Sequence, residues 1–318
     1  MTVRLERQEF RAMGTACAVA VYADASERPD ALRALAAARV EVAECERVLT
    51  RFDARSDLSM LNRNAGTWVD VDARLLAALH AALRARRTTC GRFDPTILPP
   101  LIAAGYDRTF AELRPRPARA LPGWRAGAAV QVDADAGRAR VDAGAAVDLG
   151  GIGKGFSAER ALVAMRLAWP GLRGGLVDLG GDIAFFGAPP DGPSWRIAIS
   201  DPRAPGETLT TLRIRDAGVA TSGRDRRRFG IDREFHHLID PATGVPAERG
   251  PLAVTVVAAD ATEAESHSTA LGISTLAEAT AHVERYPAIS ALYVPHEGAA
   301  VQLGALPVVP RIRLELAA

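Results

Sequence analysis

Three cysteines in 318 residues are too few for a disulfide-stapled scaffold. Cys17, Cys45 and Cys90 are odd in number, widely spaced and without zinc-ligand spacing. Reduced thiols in the cytoplasm are therefore the expectation. The chain lacks an apolar run long enough to span a bilayer. Its first ten residues, from Met1 to Phe10, lack the apolar core and cleavage pattern of a signal peptide. An excess charge of one sign is also missing. The 39 basic and 38 acidic side chains leave a formal net charge of +1, so no overall field draws the chain to nucleic acid or to an anionic membrane. There is no internal repeat. One local basic run, Arg224-Asp225-Arg226-Arg227-Arg228, reads as a solvated loop.

What is present suffices for a sizeable core: 48% of the residues are hydrophobic and 24% charged. Phe10 and Met13, then Cys17, Val19 and Val21, suggest two short strands around Gly14. Apolar residues at helical spacing predict a long helix over about 28–49 and a second over about 72–86, the latter striped by Leu75, Leu76, Leu79 and Leu83. Between them, 52–66 reads as a loop rich in Asp, Ser and Asn. Pro95, Pro99 and Pro100 mark 91–100 as a loop, and the Pro- and Arg-rich stretch 114–127 reads as irregular. Val130 to Val141 has the pattern of a hairpin. A strand at 146–149, a glycine turn and a helix over about 156–168 follow. Strands then dominate, with one helical region over about 262–286. Strands clustered around a few helices indicate an α+β fold rather than alternating βα units.

The strongest local signal is Asp148-Leu-Gly-Gly-Ile-Gly-Lys154-Gly-Phe-Ser-Ala-Glu159. Glycines let backbone N–H groups approach a phosphate, the helix N-terminus is electropositive, and Lys154 adds a full charge. A tight turn before a packed helix is an equal reading of these residues alone. Gly180-Gly181-Asp182 reads first as a bulge or close backbone contact, with Asp182 facing a ligand as the alternative. His236 and His237 end a strand before an Asp240-Pro241 turn closed by Gly244. Strand neighbours face opposite sides, so only one of the two can enter a given cleft. There it could serve as a general base; otherwise it is structural. Glu265 and Thr269 are four apart on the predicted helix and share a face. They form either an oxygen-rich magnesium site or an ordinary polar helix start.

Taken together and in order, these segments resemble the ApbE family, the FAD:protein FMN transferases. The resemblance also rests on Met13-Gly14-Thr15, Arg51-Phe52-Asp53, Ser56 to Asn62, Gly91-Arg92-Phe93-Asp94-Pro95-Thr96, Leu179-Gly-Gly-Asp182, Thr221-Ser222-Gly223 and His237 to Gly244. It covers roughly residues 10–275 of a single flavin transferase domain spanning 1–318. It implies a T-fold-like α+β core with one FAD-binding cleft. Met13, Phe52, Arg92, Phe93, Asp94, Asp148, Lys154 and Ile239 would line the FAD site. The carbonyls of Gly151 and Ser268, together with Glu265 and Thr269, would hold Mg2+. Catalysis would fall to His237 as base, with Lys154 assisting at the diphosphate. FMN would pass from FAD to a Thr or Ser hydroxyl of an acceptor protein carrying a motif of the type Asp-x-x-(Ser/Thr)-Gly-Ala-(Ser/Thr), releasing AMP.

Three departures from the family pattern stand out. Glu265 and Glu159 replace aspartates, His267 replaces a small or apolar residue as either an extra ligand or a helix residue, and Arg224 stands where a tyrosine is usual. An FAD pyrophosphatase and a non-catalytic FAD-binding protein are the competing functions.

Overall fold

The computed structural model describes residues 3–114, 121–224, 228–232, 235–308 and 315–316. Its centre is one nine-stranded sheet in which spatial order follows chain order. The strands are β1 (Arg4–Ala12), β2 (Thr15–Ala23), β3 (Gly174–Leu179), β4 (Ile183–Gly187), β5 (Gly218–Gly223), β6 (Ala253–Ala258), β7 (Ser290–Val294), β8 (Val301–Leu303) and β9 (Glu315–Leu316). Every neighbouring pair is antiparallel except β8–β9. The turn between β1 and β2 uses left-handed backbone at Met13 (φ 51) and Gly14 (φ 70), which matches the twist of a tight hairpin.

Helices α1 (Arg28–Leu49) and α5 (Gly153–Ala168) cover one face of the sheet. Val19, Val21, Val177 and Leu179 project from alternate strand positions into Leu35, Ala38, Val42, Leu162 and Met165. Farther along the same sheet, α6 (Ala261–Leu271) and α7 (Leu276–Arg285) pack on Ala220, Val254 and Val256. On the opposite face, Ile183, Phe185, Val219 and Leu292 meet a separate two-stranded hairpin, Trp195–Ser200 with Thr208–Ile214. A smaller core joins the end of α1 to α2 (Asp57–Arg63), α3 (Ala73–Thr88) and the short strands Val69–Asp70, Val130–Asp133 and Arg138–Val141.

Several sequence expectations need correction. The 52–66 loop contains α2, because the Ser56 hydroxyl caps it by accepting from the Ser59 N–H at 3.0 Å and Leu58 and Leu61 are buried. The 91–100 loop ends in α4 (Leu98–Ala103), whose first turn holds the two prolines. There the missing N–H costs nothing. Residues 146–149 form no strand. Ala146 makes one isolated bridge to Ile97, while the Val147 N–H goes to the Asn62 side chain and the Asp148 N–H to the Pro95 carbonyl. The helical region near 262–286 is two helices, α7 starting with a Thr275–Glu278 capping box. Arg224 is buried and donates to the Glu248 carbonyl at 3.1 Å, so it is not part of a solvated loop. Asp225 to Arg227, like residues 115–120, lie outside the described residues.

Candidate active site

A cleft of about 1370 Å³ opens between the glycine turn at the start of α5, the β3–β4 turn, the face of α6 that carries Glu265 and Thr269, and the segment around His237. That exceeds the roughly 300–1,000 Å³ of an ordinary small-ligand pocket.

Its floor is the turn Asp148 to Ile152. One oxygen of the Asp148 carboxylate accepts from the Gly150 N–H at 2.8 Å, and the other receives Arg51 Nε at 2.6 Å. Arg51 is almost wholly buried. Its guanidinium lies over the Phe52 and Tyr106 rings, 4.2 and 4.8 Å from their centroids, and donates to the Tyr106 carbonyl at 2.9 Å. This planar, stacked fork fixes the turn in a way a lysine could not.

Charge concentrates one step on. Lys154 Nζ contacts the carboxylates of Asp182 and, at 2.8 Å, Glu265. The other Glu265 oxygen accepts from the Gly155 N–H at 2.7 Å, satisfying a first-turn donor of α5 from a neighbouring helix. Gly155 is obligatory there, since a Cβ would collide with the Ala261 carbonyl at the crossing of α5 and α6. Asp182 reaches Lys154 because Gly180 and Gly181 (φ +76 and +99) turn β3 into β4. Thr269, one turn beyond Glu265, donates to the Gly151 carbonyl at 3.2 Å. Lys154 is the chain's only lysine; arginine supplies all the other basic side chains of the 39. A compact ammonium, rather than a fork, is what fits between two carboxylates.

The residues designated from sequence divide between those on the cleft wall and those off it. Met13, Phe52, Arg92, Phe93, Asp94, Asp148, Gly151, Lys154, His237, Ile239, Glu265 and Thr269 all line this one cleft. Some are already committed. Met13 donates its N–H to Glu46 at 2.7 Å, and Arg92 pairs with Glu278 at 3.0 Å. The Thr275 N–H, helped by Arg92, holds the Glu278 carboxyl down to about 2. Asp94 accepts from the Thr96 N–H, the Thr96 hydroxyl and the Gly127 N–H, so it shapes its own loop.

Ser268 is not on the cleft wall. Its hydroxyl contacts Ser222 and the Glu265 carbonyl, and its own carbonyl accepts from the Gly272 N–H at 2.8 Å. His267 points away from the cleft into a buried pair with His282 at 2.8 Å, and burial pushes its pKa down to about 4. It is a helix residue of the core. Glu159 accepts from the Ala261 N–H at the start of α6, also off the cleft.

Of the two adjacent histidines, His236 is buried, bonded to the Ala247 carbonyl at 2.9 Å and pushed down to about 4 by burial. His237 faces the cleft. From sequence, Gly180-Gly181-Asp182 reads first as a structural bulge rather than as part of the site, and Arg51 has no assigned partner. The only signal for either was its place inside a quoted motif. Sequence reasoning also missed the wall formed by Ile197 to Asp201 of the separate hairpin, which carries no motif.

An α+β fold whose one cleft gathers a glycine turn, a helix N-terminus and a single lysine beside carboxylates and a histidine has the make-up of an enzyme active site. The chain belongs to the ApbE family, whose model matches residues 13–293. It is 32% identical over 304 residues to the FAD:protein FMN transferase of Treponema pallidum, covering 89% of this chain and 82% of that protein. The enzyme of the same name from Haemophilus influenzae is 28% identical over 234 residues, covering 70% and 67%. The crystal structure of the ApbE protein of Thermotoga maritima superposes with a TM-score of 0.82 at 28% identity, covering 93% of this chain and 96% of that one. The apo Pseudomonas stutzeri flavinyl transferase ApbE, 23% identical, shares the fold at a TM-score of 0.77 over 96% and 95%.

Proposed function

We propose that this chain transfers FMN from FAD to a Thr or Ser hydroxyl of an acceptor protein, releasing AMP. The observation that carries the reading is the Asp182–Lys154–Glu265 cluster at the N-terminus of α5, in the same cleft as His237. The electropositive start of α5 and the Lys154 ammonium suit a diphosphate, while the Gly150, Ile152, Gly153 and Gly155 N–H groups are spent on holding the turn. Phe52, Phe93 and Ile239 supply apolar surface for flavin and adenine rings.

In the step itself, the acceptor hydroxyl oxygen bonds to the flavin-side phosphorus and the bond from that phosphorus to the bridging oxygen breaks. His237 takes the hydroxyl proton. AMP leaves with the bridging oxygen, its charge met by Lys154.

The donor set fits magnesium. Glu265, Thr269 and the Gly151 carbonyl offer only oxygens, and no cluster of three His, Cys, Asp or Glu side chains exists among the described residues. Substrate oxygens would have to complete the shell, as magnesium sites commonly require. Ser268 would contribute only through the remaining lone pair of its carbonyl. Bound there, the ion would neutralise developing phosphate charge. Glu265 is one methylene longer than the family aspartate, and it spends that length reaching the Gly155 N–H.

No helix among the described residues is long and apolar enough to cross a membrane. The three cysteines are unpaired, which favours a cytoplasmic acceptor. Incubation with FAD, Mg2+ and an acceptor protein should produce a fluorescent flavin adduct on the acceptor, and His237→Ala should abolish it. FAD consumption with equal AMP release but no adduct would contradict transfer and leave a pyrophosphatase.

A further inference from the structure

The hairpin Trp195–Ser200 with Thr208–Ile214 has two edges, and they differ. The edge at Thr208–Ile214 is covered: the Arg213 N–H donates to the Pro307 carbonyl at 2.7 Å and Leu212 bridges Val308. The edge at Trp195–Ser200 faces the cleft, and Ile197, Ala198, Ile199, Ser200 and Asp201 all line it in succession. Because the Arg213 N–H points outward, its partner Arg196 sits at a pair that exchanges no ladder bonds. The alternation then directs the N–H and C=O groups of Arg196, Ala198 and Ser200 away from the hairpin. No partner for those groups occurs among the described residues.

Edge strands are normally blunted by charge, bulges or cover. The edge strand of the main sheet, β1, follows that rule with Arg4, Glu6, Arg7, Glu9 and Arg11 along it. The cleft-side edge is less protected. Arg196 is its one charged residue, Ala198 and Ser200 are small, uncharged and exposed, and the extra residue of the register shift, Leu209, belongs to the covered strand. Ile197 and Ile199 pack with Ile183, the residue after Asp182, so this edge is continuous with the charged cluster.

We propose that the acceptor polypeptide binds as an added β-strand along the Arg196–Ser200 edge, delivering its hydroxyl into the cleft. Main-chain pairing tolerates varied acceptor side chains, while the cleft selects the hydroxyl. This rests on the FMN-transfer reading above, and the test separates the two. Ala198→Pro removes one outward N–H without touching the hairpin's own ladder, a position where proline is tolerated.

The probe is a synthetic peptide containing Asp-Gly-Ala-Thr-Gly-Ala-Thr. Loss of the bond, with an acceptor carbonyl left unpaired, should raise the KM for the peptide about tenfold or more. The kcat and the KM for FAD should move less than about twofold. An unchanged far-ultraviolet circular dichroism spectrum and a melting temperature within a few degrees of the unmodified protein report that the variant is folded. In the unmodified protein, peptide addition should slow hydrogen exchange at the Ala198 and Ser200 amides. An unaltered peptide KM in Ala198→Pro, or no protection at those amides while FMN transfer proceeds, would overturn the docking proposal alone. Absence of any transfer by the unmodified protein with FAD bound would overturn the reading beneath it.

Discussion

Replacing Lys154 by methionine should convert the best-organised part of the site into its least stable part. Asp182 and Glu265 have side chains only 2% and 3% exposed, and Lys154 is the cation both of them contact. Methionine conserves the stem and removes the charge. Two buried carboxylates then face each other with only the Gly155 N–H, on Glu265, as a remaining partner. Deleting one member of a buried ion pair costs about 3–5 kcal/mol, which for a chain of this size lowers the melting temperature by about 5–10 °C. Magnesium should recover more of that loss in Lys154→Met than it adds to the unmodified protein, because the carboxylates then lack a competing ammonium. Thermal unfolding by circular dichroism, with and without Mg2+, reads both effects. A variant that melts with the unmodified protein in metal-free buffer would refute the reasoning, since it would mean that the three side chains do not share their charge.

Glu265→Asp should withdraw the carboxylate from either the Gly155 N–H or Lys154, costing about 1–3 kcal/mol in urea unfolding. Arg51→Lys keeps the charge but loses the stacked fork over Phe52 and Tyr106 and the bond to the Tyr106 carbonyl. It should destabilise the fold by about 2–4 kcal/mol and weaken FAD binding, measurable by flavin fluorescence titration. Burial lifts the Glu159 carboxyl from its ordinary 4.5 to about 7. Between those values the folded chain holds a proton that the unfolded chain has lost, so stability falls as pH rises through that window. Glu159→Gln should therefore match the unmodified protein near pH 4.5 and exceed it by about 1–3 kcal/mol above pH 7 in denaturant unfolding.

Elements with a strong period were legible in the sequence. Helix α1 occupies 28–49 as expected, since Leu35, Val42 and Val48 repeat on a buried face. The glycine turn before α5 was legible because turn chemistry and close helix crossing both demand glycine. Short capped helices were not, because Ser56 and the Pro99–Pro100 pair resemble loop punctuation until the cap geometry is seen. For His236 and His237, alternation says that one faces the cleft but not which. Asp182, Lys154 and Glu265 meet from three separate parts of the chain, and no local pattern encodes that convergence. The cleft-side hairpin edge was illegible for another reason: its chemistry lies in backbone groups common to every residue.

In the proposed mechanism these side chains gather around the diphosphate of FAD and direct attack to its flavin-side phosphorus. Two preparations of FAD, one isotopically labelled at the flavin-side phosphate and one at the adenylate phosphate, are each incubated with the protein, Mg2+ and an acceptor. Only the flavin-side label should appear on the acceptor, together with flavin fluorescence, and the adenylate label should leave entirely as AMP. Adenylate label on the acceptor, or flavin-side label recovered only as free FMN, would contradict that mechanism.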